Sequence, residues 1–263
     1  MDFLEKKRNK RSQIAIFVIV AIAIVAIIAL LFVIRPKVVF PPSEIDPLGY
    51  FESCMGKEVN KGWEILGKQG GYINPQNNSY AYKNEKIAYL CYTMEFYRGC
   101  VMQEPFIRER VRIELENYLK PKVTECATSL KTELEKRGKD VTIGRGDLNV
   151  EIAPARIVLN IKIPITISSA GQRISYNEIT VSVLSPADKL LDITEKILNW
   201  EAIFGDFDQV GFMIVYPDLK IEKFKSQEGK IYTITDRPSG NKFIFATRSF
   251  IFPAGYWENQ PIL

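Results

Sequence analysis

The stretch "RIVLNIKIPITISSAGQRISYNEITVSV", residues 156–183, decides the fold class. Apolar side chains recur at every second position, at Ile157, Leu159, Ile161, Ile163, Ile165 and Ile167, and again at Ile179, Val181 and Val183. Successive side chains on a strand point to opposite faces, so this period buries one face and wets the other. "SSAGQ" in the middle reads as a hairpin loop joining two antiparallel strands. "DLNVEI", just upstream, alternates in the same way. Three more strands are expected near "DLKIEKF", "KIYTITD" and "KFIFATRSF", separated by turns at "SQEG" and "RPSGN".

Upstream the period changes. In residues 46–71 the apolar positions are Leu48, Phe51, Met55, Val59, Trp63 and Leu66, which is helical spacing. Pro47 suits the first turn, and Gly67, Gly70 and Gly71 end the helix. Gly56 and Gly62 inside it predict the close approach of a neighbouring helix. "KIAYLCYT" reads as a strand. Residues 104–138 carry a long amphipathic stripe from Ile107 through Val111, Leu115, Leu119, Val123, Cys126 and Leu130 to Leu134. Pro121 predicts a kink or a split in it, and Gly138 its end. "SPADKLLDITEKILNWEAIFG" opens with a cap-like Ser185, Pro186 and Asp188 and continues as a helix. Helices first, then strands with one helix among them, predict an α+β domain with helices packed on a mostly antiparallel sheet.

The amino end is different in kind. From Ile14 to Ile34 there are 21 uninterrupted residues drawn from Ile, Val, Ala, Leu and Phe. As a helix this run is roughly 31 Å long, the thickness of a hydrocarbon core. It is too long for the apolar region of a cleaved secretory signal, and it ends in Arg35-Pro36. The expectation is a transmembrane helix. Lys6, Lys7, Arg8, Lys10 and Arg11 precede it, so its basic side stays cytoplasmic and the remainder faces outward from the cell membrane. The organisation expected is a cytoplasmic basic tail over 1–13, the span over 14–34 and a proline-rich stalk over 35–47. A helical, disulfide-containing part follows over 48–138, then an antiparallel sheet with one helix over 139–252 and a tail over 253–263.

The net charge is +4, of which residues 1–12 supply +3; the rest holds 30 basic and 29 acidic side chains. Without a clustered basic excess, nucleic acid is not an expected partner. The four cysteines, Cys54, Cys91, Cys100 and Cys126, all lie on the outward side, where an even count favours disulfides. Sequence proximity favours Cys91 with Cys100, leaving Cys54 with Cys126; two other pairings are open. Asn77-Asn78-Ser79 is the one glycosylation sequon, in a turn-rich stretch that would make the chain a glycoprotein.

The chain has no histidine, which removes Ser-His and Cys-His hydrolases and His-ligated metals together. No phosphate-binding glycine loop occurs, and no cofactor is expected. Asp206 and Asp208 in "FGDFDQVGF" form a D-x-D after a helix that could hold a divalent cation, although a water-facing turn is the commoner outcome. Arg145-Gly146-Asp147 matches an adhesion tripeptide, and Gly-Asp is also plain turn chemistry before a strand. The aromatic group Tyr80, Tyr82, Tyr89, Tyr92, Phe96 and Tyr97 could stack on sugars or a partner; alternate tyrosines on a strand are more often core.

"KKRNKRSQIAIFVIV" resembles archaeal proteins with a type IV pilin-like, class III signal segment. That resemblance implies cleavage before Gln13 and assembly of a filament through the apolar helix. "ESCMGKEVNKGWEILGKQGGYI" and "NKFIFATRS" look similar to stretches of uncharacterised archaeal single-pass, membrane-anchored envelope proteins, a group with no activity to carry over. The leading expectation is a non-enzymatic, single-pass envelope protein whose outward domain binds a protein or glycan partner at the cell surface. A pilin-like subunit and a membrane-tethered, carboxylate-using glycan enzyme are the alternatives, and the oligomeric state is left open.

Overall fold

Residues 156–183 do form a long hairpin. The computed structural model describes residues 20–28, 45–75, 78–169 and 171–251. In chain order the elements are α1 (Pro47–Lys68), β1 (Ser79–Tyr82), β2 (Glu85–Tyr92), β3 (Val101–Met102), α2 (Ile107–Glu135), β4 (Asp140–Ile143), β5 (Asp147–Ala153), β6 (Arg156–Ser169), β7 (Gln172–Leu184), α3 (Ala187–Phe204), α4 (Gln209–Val215), β8 (Leu219–Ser226), β9 (Gly229–Asp236) and β10 (Lys242–Arg248). They belong to one unit that starts at Ile45. The fold is α+β, with helices packed on mostly antiparallel sheet.

The strands make two sheets. In the smaller one β7 pairs along β6, closed by Ser169 opposite Gln172 with Gly171 at φ 83°. β5 and β4 lie end to end on the other side of β6. Pro164 falls between them, where the β6–β7 register shifts, because a proline has no N–H to give a ladder. The larger sheet has the order β1-β2-β10-β9-β8, with β3 beside β2. All its pairs are antiparallel except β2 with β10. Strands from the part expected to be helical therefore complete a sheet begun at the far end of the chain.

Side-chain burial explains the helices. α1 starts on Asp46, whose carboxylate accepts from the backbone N–H of Leu48 and Gly49. It buries Phe51, Met55, Val59, Trp63 and Leu66. A Cβ at Gly62 would stand 2.8 Å from both Leu115 and Tyr118, so this glycine does admit the neighbouring helix α2. Gly56 does not: it meets only Val183 of β7, at an ordinary 3.8 Å. The expected break at Pro121 is also corrected, because α2 runs as one helix through it. Pro121 and Asn117, whose carbonyl loses its donor, are both on the exposed side, where water replaces the missing bond. α4 was not expected. Asp208 caps it through the N–H groups of Val210 and Gly211, and none of its residues is buried, so no apolar stripe marks it.

Both disulfides are formed: Cys54 with Cys126 ties α1 to α2, and Cys91 with Cys100 ties β2 to the segment before β3. Residues 20–28 are helical and exposed, in a unit, Met1–Glu44, described by itself. The span ends Ile14 and Ile34, most of the stalk, Asn77 and the tail 253–263 lie outside the described residues. Among those described, no helix is long and apolar enough to cross a membrane.

Candidate functional site: a cleft on the outer face of the large sheet

Alternation gives the large sheet two apolar faces. β9 turns Tyr232 and Ile234 to the main core, and β10 turns Phe243 and Phe245 there. Their neighbours Ile231 and Ala246 point the other way, joining Tyr80, Ile87 and Tyr89 in a second, separate cluster. The sheet curls to enclose that cluster. Its edges, β1 and β8, meet across it: Tyr82 and Phe224 lie 5.4 Å apart between ring centroids, and Tyr80 donates to Ser226 Oγ at 3.0 Å. Tyr89 donates to the Glu228 carbonyl at 3.0 Å, and burial pushes its phenol up to about 12.

The curl leaves a mouth. A cavity of about 490 Å³ opens beside Tyr82, with Ile87, Phe224, Ile231 and Ile244 as its apolar lining and Lys68, Lys83, Glu85, Glu222 and Lys242 also bordering it. That is the size and make-up of an ordinary ligand site: an apolar floor and a few convergent polar groups. The Lys83 ammonium stands 5.1 Å from the Tyr82 ring centre. A hydrogen bond from Lys220 holds the Glu222 carboxyl below its ordinary value, and Lys242 and Lys83 add to it, so Glu222 is a fixed negative charge at the cleft.

The aromatic group thus divides. Tyr80 and Tyr89 are buried, Tyr82 and Tyr92 partly so, and Phe96 and Tyr97 are exposed. Arg248 lies over Tyr92 and Phe96 at 5.7 Å each, extending the row of rings away from the cleft. Phe224 and Ile244 escape a reading of the sequence because they reach Tyr82 only through the curl.

On the opposite face of the same sheet is a buried ionic network that also went unforeseen. The fully buried Glu201 of α3 accepts from Lys230 at 2.6 Å, from the backbone of Phe207 at 3.1 Å, and from Tyr232. Lys230 also donates to the Gly205 carbonyl. A signal was present: Glu201 follows Leu190, Thr194 and Ile197 on one helical stripe, and Lys230 alternates in step with Tyr232 and Ile234.

Asp206 belongs to this network. Its two oxygens take Lys223 at 2.8 Å and Lys225 at 2.9 Å, while Asp208 caps α4. Among the described residues no group of three or more His, Cys, Asp or Glu gathers as a metal site. Asp147 is the first residue of β5, and its carboxylate accepts from the N–H of Leu148.

The network makes stability depend on pH at both ends. Burial works against the Asp206 carboxylate, but the hydrogen bonds from Lys223 and Lys225 outweigh it and hold the carboxyl below its ordinary value. The unfolded chain then binds that proton more tightly, so the stabilisation is present above about pH 4 and is lost as pH falls further. Tyr232 has the opposite sign. Burial, then the Glu201 charge, raises its phenol, so its contribution holds below about pH 10 and is lost above as the unfolded tyrosine ionises. Urea midpoints measured across pH should fall on both sides, and Tyr232→Phe should flatten only the alkaline side.

Comparison of this chain with models of known families, with curated proteins and with solved structures finds no match.

Proposed function

We infer that the protein is an envelope protein tethered to the membrane by Ile14–Ile34, whose outward domain binds a surface glycan in the cleft between β1 and β8. The observation that carries this reading is the cleft itself: Tyr82 and Phe224 side by side over an apolar floor, bordered by lysines and glutamates. Aromatic faces stack on the C–H faces of sugar rings, and the ionic groups bond hydroxyls. Two disulfides in one domain support an oxidising, extracytoplasmic location. The 21-residue apolar run with its basic flank supports the tether and its direction.

Binding is proposed ahead of glycan cleavage because canonical cleavage needs an ionised and a protonated carboxyl together, and Glu222, held ionised by Lys220, fills the first role alone. The test is calorimetric titration of the chain with polysaccharide prepared from the source cell's own envelope. Tyr82→Ala with Phe224→Ala is expected to weaken binding on the order of tenfold to a hundredfold, the cost of losing two stacking faces at about 0.7–1.4 kcal/mol each. Unchanged affinity in that variant rejects the cleft. Glycan shortening during the titration would replace the binding reading with the enzymatic one.

A further inference from the structure

The strand registers arrange charge along the cleft in a definite order. β8 buries Leu219 and Ile221 in the main core, so Phe224, Glu222 and Lys220 follow one another on its outer face. Lys242 of β10 lies in the same row as Lys220, because both stand opposite Thr235 of β9. The outer face thus passes from rings to charges along its length. Lysines meet there in excess. Lys220 bonds the Glu222 carboxylate at 2.9 Å, and Lys242 and Lys83 act on the same carboxylate through space. Among the described residues, neither Lys83 nor Lys242 has a carboxylate at salt-bridge distance. Both are exposed, and both border the cavity. Three ammonium groups therefore face one carboxylate that Lys220 already holds. On the other border Lys68 takes Glu64 at 2.6 Å and is drawn on by Glu85, so the mouth is positive on one side and negative on the other.

The backbone puts Lys83 there against its own preference. Lys83 and Asn84 form the two-residue turn between β1 and β2, with φ of 49° and 68°. Such turns favour Asn and Gly, and a lysine contributes nothing to the turn itself. What it does contribute is an ammonium beside the stacking face of Tyr82.

We propose that the glycan held in this cleft is acidic, with a uronate carboxylate or a sulfate ester of the sugar bound between Lys83 and Lys242. The inference deepens the binding reading and rests on it. A neutral sugar offers only hydroxyls, which pair as well with a carboxylate as with an ammonium and give two unpaired lysines no particular use. An anionic substituent takes charge-assisted hydrogen bonds from both. Because Lys220 keeps Glu222 paired, the ligand's charge meets lysine and not a bare carboxylate.

The test titrates the full chain with the source cell's envelope polysaccharide in three forms: untreated, reduced at its carboxyls with carbodiimide and borohydride, and desulfated by solvolysis. One of the two treatments is expected to weaken binding at least about tenfold, and which one identifies the anion. Affinity for the untreated form should also fall as salt is added. Lys83→Gln with Lys242→Gln should lose about the same factor on the untreated form and nothing on the form stripped of its anion. Both positions are exposed, so the urea midpoint of that variant should match wild type. Affinity unchanged by both treatments overturns the acidic sugar and leaves the glycan reading standing. Undiminished binding of the untreated form by the lysine variant overturns the site between the lysines. Polysaccharide that binds in none of its three forms overturns the glycan reading, and the acidic one falls with it.

Discussion

Glu201→Ala is expected to lower stability by about 3–5 kcal/mol, seen as a drop of about 1–2 M in the urea midpoint followed by tryptophan fluorescence. The size comes from what would be left behind. Lys230 is 6% exposed and its ammonium has Glu201 at 2.6 Å and Asp206 at a looser 3.7 Å. Without Glu201 a buried cation keeps only the more distant carboxylate and one carbonyl, and the Tyr232 hydroxyl and Phe207 N–H lose their acceptor. An uncompensated buried charge costs more than the pair ever contributed, because desolvation has already consumed most of the Coulombic gain. The double variant Glu201→Leu with Lys230→Met should therefore recover part of the loss. Tyr232 and Phe207 remain unsatisfied in it, so recovery is incomplete. A double variant less stable than either single one would mean that the pair is a net stabiliser.

Removing the Cys54–Cys126 disulfide by paired alanine substitution is expected to cost about 4 kcal/mol, and removing Cys91–Cys100 about 2.5 kcal/mol. The difference follows from loop length. The first closes a sequence separation of 72 residues and the second one of 9, and the entropy taken from the unfolded chain grows with the logarithm of that number. The first bond also joins α1 to α2, at a Cα separation of 6.0 Å, and α1 is the helix that packs on both sheets. Chemical denaturation of the two variants against wild type gives the order. A larger loss from the short staple would show that native packing around β2, and not chain entropy, governs the effect.

Much of this architecture is legible in the residues alone, and the reason differs by element. α1 and α2 show because burial on one side imposes a 3.6-residue period, which Phe51 to Leu66 and Ile107 to Leu134 follow. β6 shows because a sheet buried on one face imposes a period of two. A sequence separation of 9 between Cys91 and Cys100 makes the local disulfide the simplest pairing, and the structure forms it. α4 leaves no such trace: a seven-residue helix that buries nothing has no stripe to read. Pro121 misleads because a proline tolerated on a wetted face looks the same in sequence as one that breaks a helix.

By itself, then, the sequence determined where the long helices and the long strands lie, the 21-residue apolar run from Ile14 to Ile34, and the cysteines available to tie the domain. The tertiary structure alone decided that β2 lies parallel to β10 and that the large sheet curls until Phe224 meets Tyr82. Periodicity reports only which face of an element is buried. Which element covers it depends on contacts such as Tyr80 with Ser226, 146 residues apart, and no local spacing encodes a partner at that distance.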